Sequence, residues 1–140
     1  MNLDFRSGRW LLSFLLLTLA TYARERATPA FDSDYVTALA TADRFLQAWQ
    51  SGDAENGMAL LSSHVKDKTT TEALDSFFTA DTAPNNRAYE IDRGKILKRG
   101  RYEFSVVLIG AAHGGQARRR FSSIILVNTG HNDWAVDRLP

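Results

Sequence analysis

Asp43 is the carboxylate whose neighbours best suit chemistry. On a helical wheel it falls beside Leu39 and Leu46, at the flank of an apolar arc where Gln47 and Gln50 also lie. A carboxylate facing a pocket mouth there would lose hydration, and its pKa would rise toward that of a general base. Tyr102 shares a strand face with Phe104 and could aim a hydroxyl at a carbonyl or oxyanion. Tyr89 is a second strand tyrosine of the same kind. Asp43 with Tyr102 would make an isomerase or dehydratase acting on a small apolar carbonyl compound. The plainer alternative is a boundary Asp43, solvated or paired with Arg44 or a strand Arg, and tyrosine rings packed in the core with their hydroxyls at its edge.

The other polar residues carry less chemistry. His64 falls in a helix's last turn, where a positive charge suits the dipole, and His113 and His131 fall in turns. None has metal-ligand spacing to another His or an acid, so no metal or cofactor is expected. Cys is absent, which removes thiolate nucleophiles, disulfides and Cys-ligated metals. There is no HExxH, GxSxG or P-loop, and no GxGxxG after a strand. Arg118-Arg119-Arg120 is a consecutive basic run, but strand alternation sends Arg119 to the face opposite its neighbours. The run reads as a solvated sheet margin, with an anionic-ligand or partner patch as the alternative, and not as one continuous phosphate track.

The chain has 140 residues and a formal net charge of +1, and residues 1–23 carry that same excess through Arg6 and Arg9 against Asp4. The remainder is neutral and has no long-range field for nucleic acid. Residues 1–23 read as a targeting segment. Two arginines precede an apolar run over 10–20, and Thr21 and Ala23 supply small residues at a cleavage site. The run is short of the about 20 residues that span a bilayer. Export to the periplasm or medium is expected, by a cleaved signal peptide or a short uncleaved anchor, the anchor being the expected route to a membrane. Residues 24–34 read as a linker.

These side chains must be positioned by helices followed by strands. Tyr35, Leu39, Ala42, Leu46 and Trp49 recur at helical spacing over 35–51, widened by Ala38 and Phe45. Thr37, Thr41, Arg44, Ala48 and Ser51 form the opposite face. Gly52 suits a left-handed helix end and Asp53 the next cap. The second helix is expected over 53–65 with Met58, Leu61 and Val65 inward, Gly57 weakening it by roughly 1 kcal/mol relative to Ala. A third is expected over 69–79 behind a Thr69–Glu72 capping box. Four antiparallel strands follow, over 88–97 with a bulge at Gly94, 101–110, 118–128 and 133–139. Tyr102, Phe104, Val106 and Leu108 share one face. Val107 and Ile109 mark the outer face, with Ile124 and Leu126 as its candidates on the next strand.

Phe45, Ala48, Trp49, Ser51-Gly52-Asp53, Met58 and Leu60-Leu61-Ser62, with the closing 132–137, resemble the nuclear transport factor 2-like superfamily of ketosteroid-isomerase-like and SnoaL-like proteins. The resemblance covers 35–140. It implies an α+β cone: three N-terminal helices packed in the concave face of a curved four-stranded antiparallel sheet. It also implies an apolar pocket at the open end, with Trp49, Tyr102, Phe104 and Trp134 as the candidate ligand contacts. Members include enzymes as well as binding and assembly modules, so fold does not choose function. The reading adopted is a non-enzymatic, exported ligand-binding or assembly module, with a small apolar ligand or a second copy on the outer sheet face as partner. The isomerase or dehydratase is the alternative.

Overall fold

The apolar spacing of the first helix produces α1, Ser33–Ser51. Asp32 caps it by accepting the N–H groups of Asp34 and Tyr35, which the first turn cannot pair internally. The helix thus begins two residues before the expected Tyr35. The computed structural model describes residues 32–80, 86–111 and 116–140. The targeting segment, the linker up to residue 31, the turn residues 81–85 and the connection 112–115 with His113 lie outside the described residues.

Gly52, at φ 73°, closes α1 by donating its N–H to the Ala48 and Trp49 carbonyls. The single helix expected over 53–65 is two helices, α2 (Ala54–Ala59) and α3 (Ser63–Lys68). The break arises because this segment pairs with the end of the chain. The Leu60 carbonyl accepts the Val136 N–H at 2.8 Å, and the Ser62 N–H donates to the Val136 carbonyl at 2.9 Å. The Ser62 hydroxyl then caps α3 and donates to Asp137 at 2.8 Å. In α4, Thr71–Thr79, the cap is Thr70, one residue beyond the expected Thr69. Among the described residues four helices therefore precede the sheet in place of the expected three.

The strands are β1 (Ala88–Lys98), β2 (Arg101–Ala111), β3 (Ala117–Gly130) and β4 (Asp133–Arg138), joined as one antiparallel meander in that order. The β1–β2 register shifts between Ile91 and Gly94, where the bulge was expected. His131 and Asn132, at φ 48° and 67°, turn β3 into β4, the left-handed pair that matches strand twist in a two-residue hairpin.

Helix α1 packs against all four strands on one side and against α2 and α4 on the other. Being enclosed from both directions, it buries more of its circumference than one stripe. Thr41 and Ala48, expected on its outer face, are buried. The Thr41 hydroxyl is satisfied by the Thr37 carbonyl at 3.0 Å. On the sheet, Tyr102, Phe104, Val106 and Leu108 face the core as expected. Ile124 and Leu126 do too: they sit opposite Phe104 and Tyr102 and are fully buried, so they do not belong to the outer face. That face carries Phe121 instead, opposite Val107 and 77% exposed.

Candidate functional site

Helix α1 crosses β1 so that Asp43 meets Tyr89. The Tyr89 hydroxyl donates to Asp43 Oδ1 at 2.7 Å, and Gln47, one helical turn on, donates to Oδ2 at 2.9 Å. The pair lies in an open groove of about 460 Å³ lined by Val36, Leu39, Ala40, Asp43, Tyr89 and Ile91. Loss of hydration, reinforced by the hydrogen bond and charge of Asp43, pushes the Tyr89 pKa up to about 12. Tyr89 therefore keeps its proton at neutral pH and remains the donor.

Tyr102 is engaged elsewhere. It is 4% exposed, and its hydroxyl donates to Asp32, the α1 cap. Burial, then the hydrogen bond and charge of Asp32, pushes Tyr102 up to about 12 as well. The same bond, with the N–H groups of Tyr35 and Asp34, holds Asp32 below the usual carboxylate range. The structure thus brings Asp43 together with Tyr89 and not with Tyr102. Asp32 was not singled out in the sequence as a partner of either tyrosine.

The four residues expected to contact a ligand are all buried, Trp49 at 7%, Tyr102 at 4%, Phe104 at 0% and Trp134 at 6% exposure. Tyr102 packs on Trp134 at 5.4 Å between ring centroids, and Tyr35 on Phe104 at 5.4 Å. Trp49 lies under the Arg87 guanidinium, 5.2 Å from its ring centroid. None of the four lines the groove at Asp43. Arg87 was given no role from the sequence, yet it is a buried cation joining the ends of α1 and α4 through the Trp49 and Phe78 carbonyls. Its partners are main-chain oxygens, which no side-chain pattern announces. His64 and His131 are exposed. Among the described residues no group of three or more His, Asp or Glu converges as a metal site.

No protein-family model matches the chain, and no curated protein matches it. Solved structures do match in fold. A ketosteroid isomerase-like protein from Erwinia carotovora atroseptica superposes with a TM-score of 0.55 at 14% identity, over 77% of this chain and 94% of that one. The Δ5-3-ketosteroid isomerase of a Mycobacterium species gives 0.50 at 15% identity, over 71% and 88%. A Mycobacterium tuberculosis protein in complex with estradiol-17β-hemisuccinate gives 0.50 at 16%, also over 71% and 88%. The fold is the ketosteroid-isomerase-like cone. In this cone Phe45, Leu46, Phe78, Phe104, Ile124, Leu126 and Val136 are each at 0% exposure. The Asp43–Tyr89 pair lies in the open groove between α1 and β1.

Proposed function

We propose that this chain is an exported, non-catalytic assembly module that pairs with a second copy through the outer face of its sheet. The observation that carries the reading is a packed core beneath a sheet face that leaves Phe121 77% exposed beside half-buried Val107 and Ile109. A phenyl ring left in water forgoes the burial that drives association. Beside it lies a concavity of about 670 Å³ lined by Glu90, Asp92, Ser105, Val107 and Phe121 among others. In a two-fold pair each copy inserts Phe121 into the other's concavity, the self-complementary arrangement an isologous interface requires. The row Glu90–Val107–Phe121 runs across three strands, so turning the partner about an axis along β2 sets its Phe121 over the Glu90 end of the concavity. Export rests on the basic-then-apolar pattern of residues 1–23. Size-exclusion chromatography with light scattering tests the pairing. The chain is expected to run as a dimer and Phe121→Asp as a monomer of unchanged stability. A monomeric wild type at high concentration, or a dimeric Phe121→Asp, would sink the proposal.

A second reading rests on the Asp43–Tyr89 groove. Its apolar walls suit a small apolar molecule, and the pair offers acceptor lone pairs on Tyr89 Oη and Asp43. Estradiol-17β-hemisuccinate, present in the Mycobacterium tuberculosis neighbour, is a reasonable probe. Saturable binding weakened by Tyr89→Phe and Asp43→Asn supports this reading. Catalysis of carbonyl isomerisation lost in Asp43→Asn would move it on to the isomerase alternative. No saturable binding of the probe removes it.

A further inference from the structure

The turn joining β1 to β2 combines basic residues with exposed aliphatic ones. From Arg93 to Arg101 the sequence reads Arg-Gly-Lys-Ile-Leu-Lys-Arg-Gly-Arg, with five basic residues and no acid. Gly100, at φ 71°, closes the turn. The β1–β2 register shifts again between Ile96 and Lys98, which leaves Leu97 bulged out of the ladder. Ile96 is 61% exposed and Leu97 43%, so two adjacent aliphatic side chains stand in water at the end of a hairpin.

Three acids around this tip are held in ion pairs. Lys95 pairs with Glu103 at 2.7 Å, Arg101 with Asp137 at 2.7 Å, and Arg93 with its neighbour Asp92 at 3.5 Å. Asp32 accepts the Tyr102 hydroxyl, and Tyr102, next to Arg101, pairs with Ile96. Lys98 and Arg99, at the turn itself, make no ion pair among the described residues. The adjacent β3–β4 turn adds exposed His131, Asn132 and Asp133 at the same end.

We infer that the β1–β2 tip is a docking site for an anionic lipid surface, in which Ile96 and Leu97 enter the acyl boundary while Lys98 and Arg99 meet headgroup phosphates. Two exposed aliphatics beside unpaired cations on a convex hairpin are what an interfacial membrane contact requires. Other partners fit less well. The 93–101 stretch has no aromatic ring to stack on a nucleobase. A hairpin tip is also far smaller than the roughly 800 Å² per partner of a stable protein interface. The domain's near-zero net charge does not oppose this, because screening makes the local charge decisive. Helix α1 begins at this end of the sheet, with its cap Asp32 at the Tyr102 hydroxyl. The site is independent of the sheet-face pairing and of the fate of residues 1–23.

The chain contains no cysteine, so a single thiol can report on this site. Leu97→Cys in the full chain, labelled with an environment-sensitive fluorophore, is titrated with vesicles containing phosphatidylglycerol and with pure phosphatidylcholine vesicles. Ser76→Cys on α4, at the opposite end near Arg87, serves as control. The label at 97 is expected to brighten and shift to the blue on the anionic vesicles alone, with the label at 76 silent. Lys98→Glu with Arg99→Glu should lower the partitioning at least roughly tenfold, with thermal unfolding unchanged. Vesicle binding that leaves the label at 97 unresponsive would assign membrane contact to the N-terminal segment and overturn the inference. An equal response to phosphatidylcholine, no effect of the charge reversal, or an equal response to the soluble polyanion heparin would overturn it too.

Discussion

Arg87 lies over the Trp49 ring and donates Nη1 to the Trp49 carbonyl at 2.8 Å, and the same nitrogen reaches the Phe78 carbonyl at 2.5 Å. Both carbonyls belong to helix C-terminal turns and carry the negative end of the dipole, and the Trp49 oxygen is shared with the Gly52 N–H. With Arg87 4% exposed, these are charge-assisted bonds in a dry setting. Arg87→Ala should cost roughly 3 kcal/mol, since buried hydrogen bonds to charged groups are worth about 1.5–3 kcal/mol each. Arg87→Lys should recover part of that, because it keeps the charge without the planar fork. Urea unfolding midpoints measure both. A loss under about 0.5 kcal/mol for Arg87→Ala, the range of ordinary surface substitutions, would show that the clamp is not structural.

Tyr89 and Tyr102 give the fold an alkaline limit. Both pKa values stand near 12 in the folded chain, against about 10 for a tyrosine in an unfolded one. The folded state thus retains protons that the unfolded state has released. Stability is whole below about pH 10 and falls as pH rises from there toward 12. Unfolding measured across that range should show the decline, and Tyr89→Phe with Tyr102→Phe should flatten it. A wild-type curve as flat as the double variant's would contradict the two phenol–carboxylate bonds.

Asp32 sets the opposite limit. Its folded pKa is depressed, chiefly by the Tyr102 hydroxyl, so its contribution is present above the ordinary carboxylate value near 4 and is lost as pH falls through the folded value. Tyr102→Phe removes the principal cause. Carboxyl NMR titration should then find Asp32 moved up toward the ordinary value, with the other carboxylates unmoved. An unshifted Asp32 would mean that the backbone N–H groups of the cap suffice by themselves.

What the sequence made legible is what periodicity and turn chemistry control. The α1 stripe, the Gly52 stop, the Asp53 cap, the Gly94 bulge and the inward row Tyr102–Leu108 all follow from local pattern. The misassigned features depend on distant backbone. In β3 the run Ile124-Ile125-Leu126-Val127 has no alternation, so parity could not decide which residues face the core until Ile124 was seen opposite Phe104. The 53–65 helix breaks because Val136 competes for the Leu60 and Ser62 main chain. Which tyrosine meets Asp43 is set by how α1 crosses the sheet, a relation between elements that neither one encodes alone.

Gly57 shows how tertiary packing reverses a propensity argument. In an isolated helix, Ala there would gain roughly 1 kcal/mol over Gly. Here a Cβ at 57 would stand 2.2 Å from Cε1 and Cζ of Phe78. That ring is fully buried and wedged between Phe45 and Phe77, at centroid distances of 5.4 and 5.2 Å, so it cannot step aside cheaply. Gly57→Ala should destabilise by about 1–3 kcal/mol, the usual cost of overpacking. A variant as stable as wild type in thermal unfolding would show that the Phe78 ring has another rotamer open to it.

Trp134 carries a different burden. It is 6% exposed and packs on Tyr102, yet its indole N–H has no hydrogen-bond acceptor among the described residues. A buried donor without a partner costs about 1–3 kcal/mol. Trp134→Phe removes that donor while keeping an aromatic ring, so the relief offsets much of the lost burial. The net loss should stay under about 1 kcal/mol, whereas Phe78→Ala, a pure cavity, should lose about 3–5 kcal/mol. Urea unfolding of the two variants under one set of conditions makes the comparison. A Trp134→Phe loss above about 2 kcal/mol would mean that the indole N–H holds a partner, such as an internal water bridging it to a main-chain carbonyl.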